Sequence, residues 1–217
     1  MTIVAFFDLD YTLLNASSGM IYVKESIKRR RVPLWFISYL TLNHRLGRAN
    51  FGETHARLIT KVGRQGFREA GQFFAERITP RVLSHLTEPG LAKIKWHQDQ
   101  GHRVVIISAS IEEIVKPVAE QLGLGPDYLC TRLAVEDDRY LGRLIGPECY
   151  GAGKVHWARQ WLAENKLDFP AAIGYVYTDS SSDLPLLELA QHPVAVNPSP
   201  KLAKIATERG WSIERFY

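Results

Sequence analysis

Two aspartates, Asp8 and Asp10, stand one residue apart directly after an apolar run, Ile3 to Phe7. Such a run is typical of a strand buried in a parallel sheet, and ligands collect at the carboxyl ends of those strands. In extended backbone, residues i and i+2 point to the same side, so we expect both carboxylates at one sheet edge. Two close ionised carboxylates repel each other unless a proton or cation intervenes, and Mg²⁺ suits them.

Further polar residues follow other apolar runs or begin a predicted helix. They are Ser108 after the run 104–107, Lys154 at a glycine-rich helix start, and Asp179 and Asp183 after the run 172–177. Separate strand ends of a doubly wound sheet can converge on one crevice, so we expect these groups to meet.

Each of these residues also has a simpler interpretation as a turn or helix-capping residue. Asp10 or Thr12 can cap a helix, Ser108 can do the same, and Lys154 can be a surface lysine. Taken one at a time, the residues leave that interpretation open. The functional interpretation depends on all four positions together.

The four motifs in this order resemble the haloacid dehalogenase-like (HAD) phosphatase superfamily. The motifs are Asp-x-Asp-x-Thr from Asp8, an apolar strand ending in Ser108, Lys154 at a helix start, and Asp-Ser-x-x-Asp from Asp179. The resemblance covers the whole chain and is greatest to the branch that contains phosphoserine phosphatase, subfamily IB. The four together are far more specific than any one of them.

The resemblance implies a role for each motif residue. Asp8 is expected to be the nucleophile that forms an aspartyl-phosphate, and Asp10 the general acid and then base. Ser108 and the backbone N–H of Ala109, expected at the start of the following helix, would bind phosphate oxygens, while Lys154 would neutralise the phosphoryl charge.

The resemblance also implies a magnesium site. Its expected ligands are the carboxylates of Asp8 and Asp179 and the carbonyl oxygen of Asp10. Three further residues are expected just behind these ligands, where they orient ligands or Lys154: Thr12, Ser180 and Asp183.

The predicted fold is α/β, with a doubly wound, mainly parallel, Rossmann-like sheet. About seventy helical residues separate the first two predicted strands, which is too long for a plain crossover. We therefore expect an inserted α-helical cap at 15–81 and a core of 1–14 and 82–217. A small β-hairpin is predicted at about 128–146.

Composition and charge favour a cytoplasmic protein. The net charge is +4 among 217 residues, and we interpret the basic run 28–31 as a solvated helix face. The apolar stretch 33–42 is too short to cross a bilayer, and Cys130 and Cys149 suit free thiols in a reducing compartment. We expect no secretory leader, no nucleic acid partner, no stable membrane association, and a monomer or dimer.

The substrate is expected to be a small phosphorylated metabolite, chosen by the cap. Residues 13–19 contain no acid, whereas phosphoserine phosphatase uses a glutamate there to hold its substrate's amino group; Arg57 is the candidate for holding a carboxylate. The cap is rich in aromatic residues, which favour a ring-bearing leaving group. An amine partner is sought among four cap acids: Glu25, Glu53, Glu69 and Glu76.

These features favour histidinol phosphate over phosphoserine as the substrate. A phosphotransferase, a lipid-phosphate phosphatase using 34–42 at a membrane, and a catalytically silent binding protein on the same fold stay open as alternatives. Because every motif position holds a competent residue, the silent protein is the least favoured.

Overall fold

The computed structural model describes residues 2–48, 54, 57–58, 61 and 67–217. Within these residues the strands form one seven-stranded sheet in the order β4-β3-β2-β1-β5-β6-β7. All neighbouring strands pair in parallel except β3 and β4. The strands are β1 Val4–Phe7, β2 Arg103–Ile111, β3 Tyr128–Glu136, β4 Arg139–Ile145, β5 Ile173–Thr178, β6 His192–Val196 and β7 Ser212–Glu214. The prediction of a mainly parallel α/β sheet is confirmed.

Helices precede and follow the strands along the described chain. Between β1 and β2 lie α1 Ser18–Lys28, α2 Leu34–Arg45, α3 Phe67–Phe73, α4 Thr79–Leu83 and α5 Glu88–Asp99. After β2 come α6 Glu112–Gln121, α7 Ala152–Glu164, α8 Leu184–Leu187 and α9 Pro200–Arg209. The helices α1 to α3 fall where the cap is predicted, α4 crosses its predicted end at residue 81, and the division of cap from core stays a prediction.

The central strand β1 is buried on both faces, which explains its uninterrupted apolar sequence. Its four residues are fully buried and alternate between two apolar clusters. Val4 and Phe6 pack toward α7 and α9, whereas Ala5 and Phe7 pack toward α5, α6 and the helices that follow β1. Because helices on both faces of the sheet pack against β1, they fix the position of the turn that follows Phe7.

The structure corrects three sequence expectations. Strand β2 continues to Ile111 with an irregular register after Ser108, so Ala109 lies in this strand and not at the start of a helix. A proline normally ends a helix, but the helical segment that begins with α3 continues through a π-type turn, Phe74–Ile78, into α4, where Pro80 lies. Pro80 is tolerated because it occupies the first turn of α4, where a missing N–H removes no intrahelical bond.

The third correction concerns the sheet edges. The predicted hairpin at about 128–146 is confirmed as β3–β4, and it joins the main sheet because β3 pairs in parallel with β2. Strand β7, which the sequence did not predict, pairs in parallel with β6 at the other edge. Among the helices that the structure describes, none is both long and apolar enough to cross a membrane.

We predict that Gly153→Ala destabilises the protein, because an added Cβ would overlap the main-chain carbonyl of Glu148. Gly153 lies in the first turn of α7, and relieving the overlap requires this helix to shift. Overpacking of this kind costs roughly 1–3 kcal/mol. The measurement is the free energy of unfolding in urea.

Gly71→Ala in α3 is the matched control, because nothing lies within 4 Å of its added Cβ. A helical Gly→Ala change without a clash stabilises by up to about 1 kcal/mol. Equal effects of the two substitutions would contradict the predicted overlap.

Candidate active site

The turn after β1 presents the first two aspartates. Asp8 extends the sheet by one residue, since its N–H donates to the Tyr177 carbonyl at 2.9 Å. A π-type turn follows at Leu9–Leu13, with Asp10 in extended backbone and Tyr11 left-handed at φ 56°. A positive φ is uncommon for a residue with a side chain and is typical of functional turns. The turn brings Asp8 and Asp10 to one cavity.

The Asp10 carboxylate is held by the start of α1. The Ser18 N–H donates to Oδ1 at 3.1 Å, and the Ser17 hydroxyl donates to Oδ2 at 3.2 Å. Burial raises the pKa of Asp10, and the hydrogen bonds from Ser18 and Ser17 partly offset this rise. A carboxylate at a helix N-terminus is stabilised by the free N–H groups and by the helix dipole.

Lys154 connects the first and last motifs. Its ammonium donates to Asp8 Oδ1 at 2.8 Å and to Asp183 Oδ2 at 2.6 Å, and all three residues are buried. Asp183 also accepts from the Thr178 hydroxyl at 2.7 Å. Lys154 reaches this position because α7 begins directly after Gly151, whose φ of 54° favours glycine.

The electrostatics of the cluster are set by burial and by mutual charge. Burial raises the pKa of Asp8 to about 7; Lys154 opposes this rise and Asp183 adds to it. Burial and the charge of Asp183 likewise raise the pKa of Asp179 to about 6. Burial disfavours the Lys154 ammonium, but Asp183 and Asp8 outweigh that effect, so its pKa is raised.

The end of β2 is tied to α1 next to these charges. The Ser110 N–H donates to the Ser108 hydroxyl at 3.1 Å, and the hydroxyls of Ser110 and Ser18 lie 2.6 Å apart. Ser18 is therefore a link between Asp10 and β2. These contacts hold the second predicted motif beside the first.

One cavity of about 240 Å³ brings most of the predicted site residues together. Eight predicted residues line it: Asp8, Asp10, Ser108, Ala109, Lys154, Asp179, Ser180 and Asp183. Two do not. Thr12 is fully buried with no hydrogen-bond partner for Oγ1 among the described residues, and Arg57 is exposed on its helix.

Five lining residues were not predicted from the sequence: Tyr11, Ser17, Ser110, Tyr150 and Ser182. The position of Ser17 could have been predicted, because a serine before a helical pattern marks an N-cap. In the structure its hydroxyl accepts from the Met20 N–H. Tyr11 and Tyr150, both about half exposed at 45% and 49%, carried no such signal.

The cap residues considered for the substrate lie elsewhere. Tyr22 is buried and stacks on Phe74 with ring centres 5.1 Å apart, and Glu25 is buried and pairs with Arg81 at 3.0 Å. Glu69 and Glu76 do not line the cavity. Glu53 lies outside the described residues.

The donor set of the cavity fits a hard divalent cation. The described lining residues include four aspartates but one lysine, Lys154, so negative charge is in excess. No group of three or more His, Cys, Asp or Glu side chains in the described part of the chain is arranged to hold a metal. The predicted set needs only two carboxylates, Asp8 and Asp179, because its third ligand is a carbonyl oxygen. Mg²⁺ completes such sets with water and phosphate oxygens.

Comparisons with known proteins agree on one family. The model for haloacid dehalogenase-like hydrolases matches residues 5–188. A histidinol-phosphatase of Neisseria meningitidis is 31% identical over 98% of this chain and 98% of its own. A phosphoserine phosphatase of Mycobacterium tuberculosis is 30% identical over 100% of this chain and 71% of its own. A Bordetella pertussis protein of unknown function has a similar crystal structure, with a TM-score of 0.91, 27% identity and complete coverage of both chains.

We predict that Lys154→Met lowers the free energy of unfolding by roughly 3–5 kcal/mol, because two buried carboxylates lose their shared ammonium. Urea unfolding in a chelating buffer measures the loss, since a bound cation would mask it. Adding Asp183→Asn should restore part of it by removing one of the carboxylates.

Lys95→Met is the matched control, since its ammonium pairs with Asp99 at 2.9 Å while 74% of the side chain is exposed. Exposed pairs of this kind contribute less than about 1 kcal/mol. Similar losses in the two lysine variants would show that Lys154 does not balance buried charge.

Proposed function

This chain belongs to the haloacid dehalogenase-like hydrolase family, and from that premise we propose a Mg²⁺-dependent phosphomonoester phosphatase that forms an aspartyl-phosphate. Phosphatase activity itself follows from the family and from its phosphatase relatives. One observation carries the proposed mechanism: Asp8, Asp10, Asp179 and Lys154, from three distant parts of the chain, line one cavity.

In the proposed first step, an oxygen of Asp8 attacks the phosphorus in line with the leaving alcohol. Lys154 holds Oδ1 of Asp8, which leaves Oδ2 for the attack. As the new P–O bond forms, the bond to the leaving oxygen breaks, and Asp10 gives that oxygen its proton. The products are the free alcohol and a phosphoryl group on Asp8.

In the second step, water releases the phosphoryl group. The Asp10 carboxylate takes a proton from the water as its oxygen attacks phosphorus. The bond between phosphorus and Asp8 breaks, which regenerates the Asp8 carboxylate and frees inorganic phosphate. Asp10 is again protonated and ready for the next substrate.

The roles of the two aspartates are those that the family resemblance implies, and their surroundings are compatible with these roles. Asp8 contacts the buried ammonium of Lys154, which favours its ionised form. The hydrogen bonds that Asp10 accepts come from serines at the start of α1, and burial raises its pKa. Two carboxylates in different surroundings can take different roles in one reaction.

The phosphoryl group is held by neighbouring polar groups. Ser108 and the backbone of Ala109 line the cavity beside Asp8 and offer hydrogen bonds to phosphate oxygens. Mg²⁺ is proposed to bind Asp8, Asp179 and the carbonyl oxygen of Asp10. When bound, it supplies positive charge that offsets the charge on the transferring phosphoryl group.

Histidinol phosphate is the proposed substrate, in the cytoplasm and without a nucleic acid partner. The histidinol-phosphatase relative is matched over nearly the full length of both chains. Tyr11 and Tyr150 line the cavity and are half exposed, so their rings suit contact with the flat ring of a leaving group. Residues 13–19 contain no acid, so a substrate amine would not be held by a glutamate there as it is in phosphoserine phosphatase.

Phosphoserine is the second candidate, because one relative bears the name phosphoserine phosphatase. The residues that line the cavity distinguish the two candidate substrates. The lining carboxylates are assigned to the proposed chemistry, and the remaining large side chains, Tyr11 and Tyr150, suit a leaving group with a ring better than a small amino acid.

A screen of the purified chain with Mg²⁺ against phosphorylated metabolites tests this proposal. We expect release of phosphate from histidinol phosphate with a higher kcat/KM than from phosphoserine. Asp8→Asn is the control and should show no turnover above background. A preference for phosphoserine would overturn the substrate, and substantial activity of Asp8→Asn would overturn the nucleophile.

We predict that Asp10→Asn slows turnover by about 10²–10⁴-fold, because an amide cannot transfer the proton. Mg²⁺ binding, measured by calorimetry, should persist, since only the Asp10 backbone carbonyl is proposed to contact the ion. Loss of Mg²⁺ binding in this variant would contradict that assignment.

A further inference from the structure

Helix α2 has two apolar faces, and the protein interior covers only one of them. Leu40 and Asn43 point inward and are 3% and 9% exposed. Four large side chains on the other side of α2 and in the turn directly after it are exposed, and we call them the apolar stripe: Trp35 at 66%, Tyr39 at 49%, Leu42 at 55% and Leu46 at 54%. The fold of the described residues leaves this stripe in solvent.

The spacing of the stripe makes it a continuous surface. Its residues are separated by four, three and four positions, which places them on one narrow face of a helix. Leu34, 66% exposed, extends the apolar surface at the start of α2. Contiguous exposed apolar patches of a few hundred square ångströms mark interaction sites.

The chain around α2 is strongly basic. From Ser26 to Gly52 the sequence has no Asp or Glu, but it has six Lys and Arg residues: Lys28, Arg29, Arg30, Arg31, Arg45 and Arg48. Arg31 packs over the Phe73 ring at 4.4 Å, and the other five are exposed. Positive charge therefore flanks the stripe at both ends of the helix.

We propose that α2 docks the chain onto an anionic phospholipid surface. The stripe would enter the boundary between headgroups and acyl chains, where tryptophan and tyrosine are favoured. The exposed basic residues would contact the anionic headgroups, which attract Lys and Arg near the membrane surface. Helix α2 lies in the plane of the surface and does not cross it.

The charge around α2 favours an anionic membrane over a second copy of the chain as the partner of the apolar stripe. A stripe-to-stripe dimer would bring the basic flanks of two identical helices together without an acid between Ser26 and Gly52 to pair with them. An anionic membrane pairs with the same charges. This peripheral docking departs from the sequence expectation of no stable membrane association, and it does not rest on the proposed reaction.

Co-sedimentation of the full chain with vesicles tests the proposal. We expect binding to phosphatidylcholine vesicles that contain phosphatidylglycerol, little binding to phosphatidylcholine alone, and weaker binding as salt rises. The double variant Trp35→Ser/Leu42→Ser should lose about tenfold or more in partitioning, because two anchoring side chains are removed. Arg29→Gln/Arg30→Gln should lower the preference for anionic vesicles.

The control is Leu91→Ser/Leu141→Ser, which removes two apolar residues that are 38% and 39% exposed on other elements. It should bind vesicles like the unmodified chain, and circular dichroism should show that every variant is folded. Three results would overturn the proposal: no binding to anionic vesicles, equal binding to neutral ones, or full binding by Trp35→Ser/Leu42→Ser. A dimer in light scattering that this variant dissociates, without vesicle binding, would identify a second copy as the occupant.

Discussion

The ammonium of Lys154, buried between Asp8 and Asp183, is the interaction on which the site depends. Its two hydrogen bonds join the end of β1, the start of α7 and the turn after β5. Buried carboxylates are costly unless paired, and here two of them share one cation. The parallel sheet makes this possible, because β1 and β5 are neighbours whose carboxyl ends open on the same edge. Removing Lys154 would leave both buried carboxylates without their shared cation.

The same edge couples the helices after β1 to the chemistry. Ser18 donates its N–H to Asp10 and lies within hydrogen-bonding distance of Ser110. The residue assigned to proton transfer is thus held by α1 and not by the sheet that carries Asp8. A shift of α1 would change the hydrogen bonds to Asp10 while leaving the Asp8–Lys154 pair in place. The proposed nucleophile, Asp8, and the proposed acid, Asp10, are therefore held by different elements.

The sequence predicted the parts of the fold and site that follow from local pattern. Apolar runs identified β1, β2 and β5 because strands buried on both faces have no polar positions. The polar residues after them were recognisable by type and order, and eight of the ten predicted site residues line the cavity. Strand β7 was missed because Ser212–Glu214 is short, partly exposed and at the sheet edge. Arg57 was assigned from a loose likeness in the cap, where no local pattern fixes an orientation.

Tyr11, which the pattern missed, is placed by tertiary contacts. Tyr11 lines the cavity only because its backbone is left-handed, and the far end of the chain holds it there. Its carbonyl accepts from Asn197 Nδ2 and from the Tyr217 hydroxyl, both at 3.3 Å. Asn197 also accepts from the Phe216 N–H at 2.9 Å, so its side chain joins the C-terminal segment to the turn Leu9–Leu13.

This arrangement separates chemistry from selectivity. In the proposed mechanism, Asp8, Asp10 and Lys154 contact the phosphoryl group and the leaving oxygen, which are common to all phosphomonoesters. Tyr11 and Tyr150 line the same cavity and are half exposed, so they are placed to contact the part of the substrate that varies. Asn197 and Tyr217 hold the Tyr11 carbonyl. Substitutions in this C-terminal segment can therefore move Tyr11 while the buried charges of Asp8, Lys154 and Asp183 stay paired.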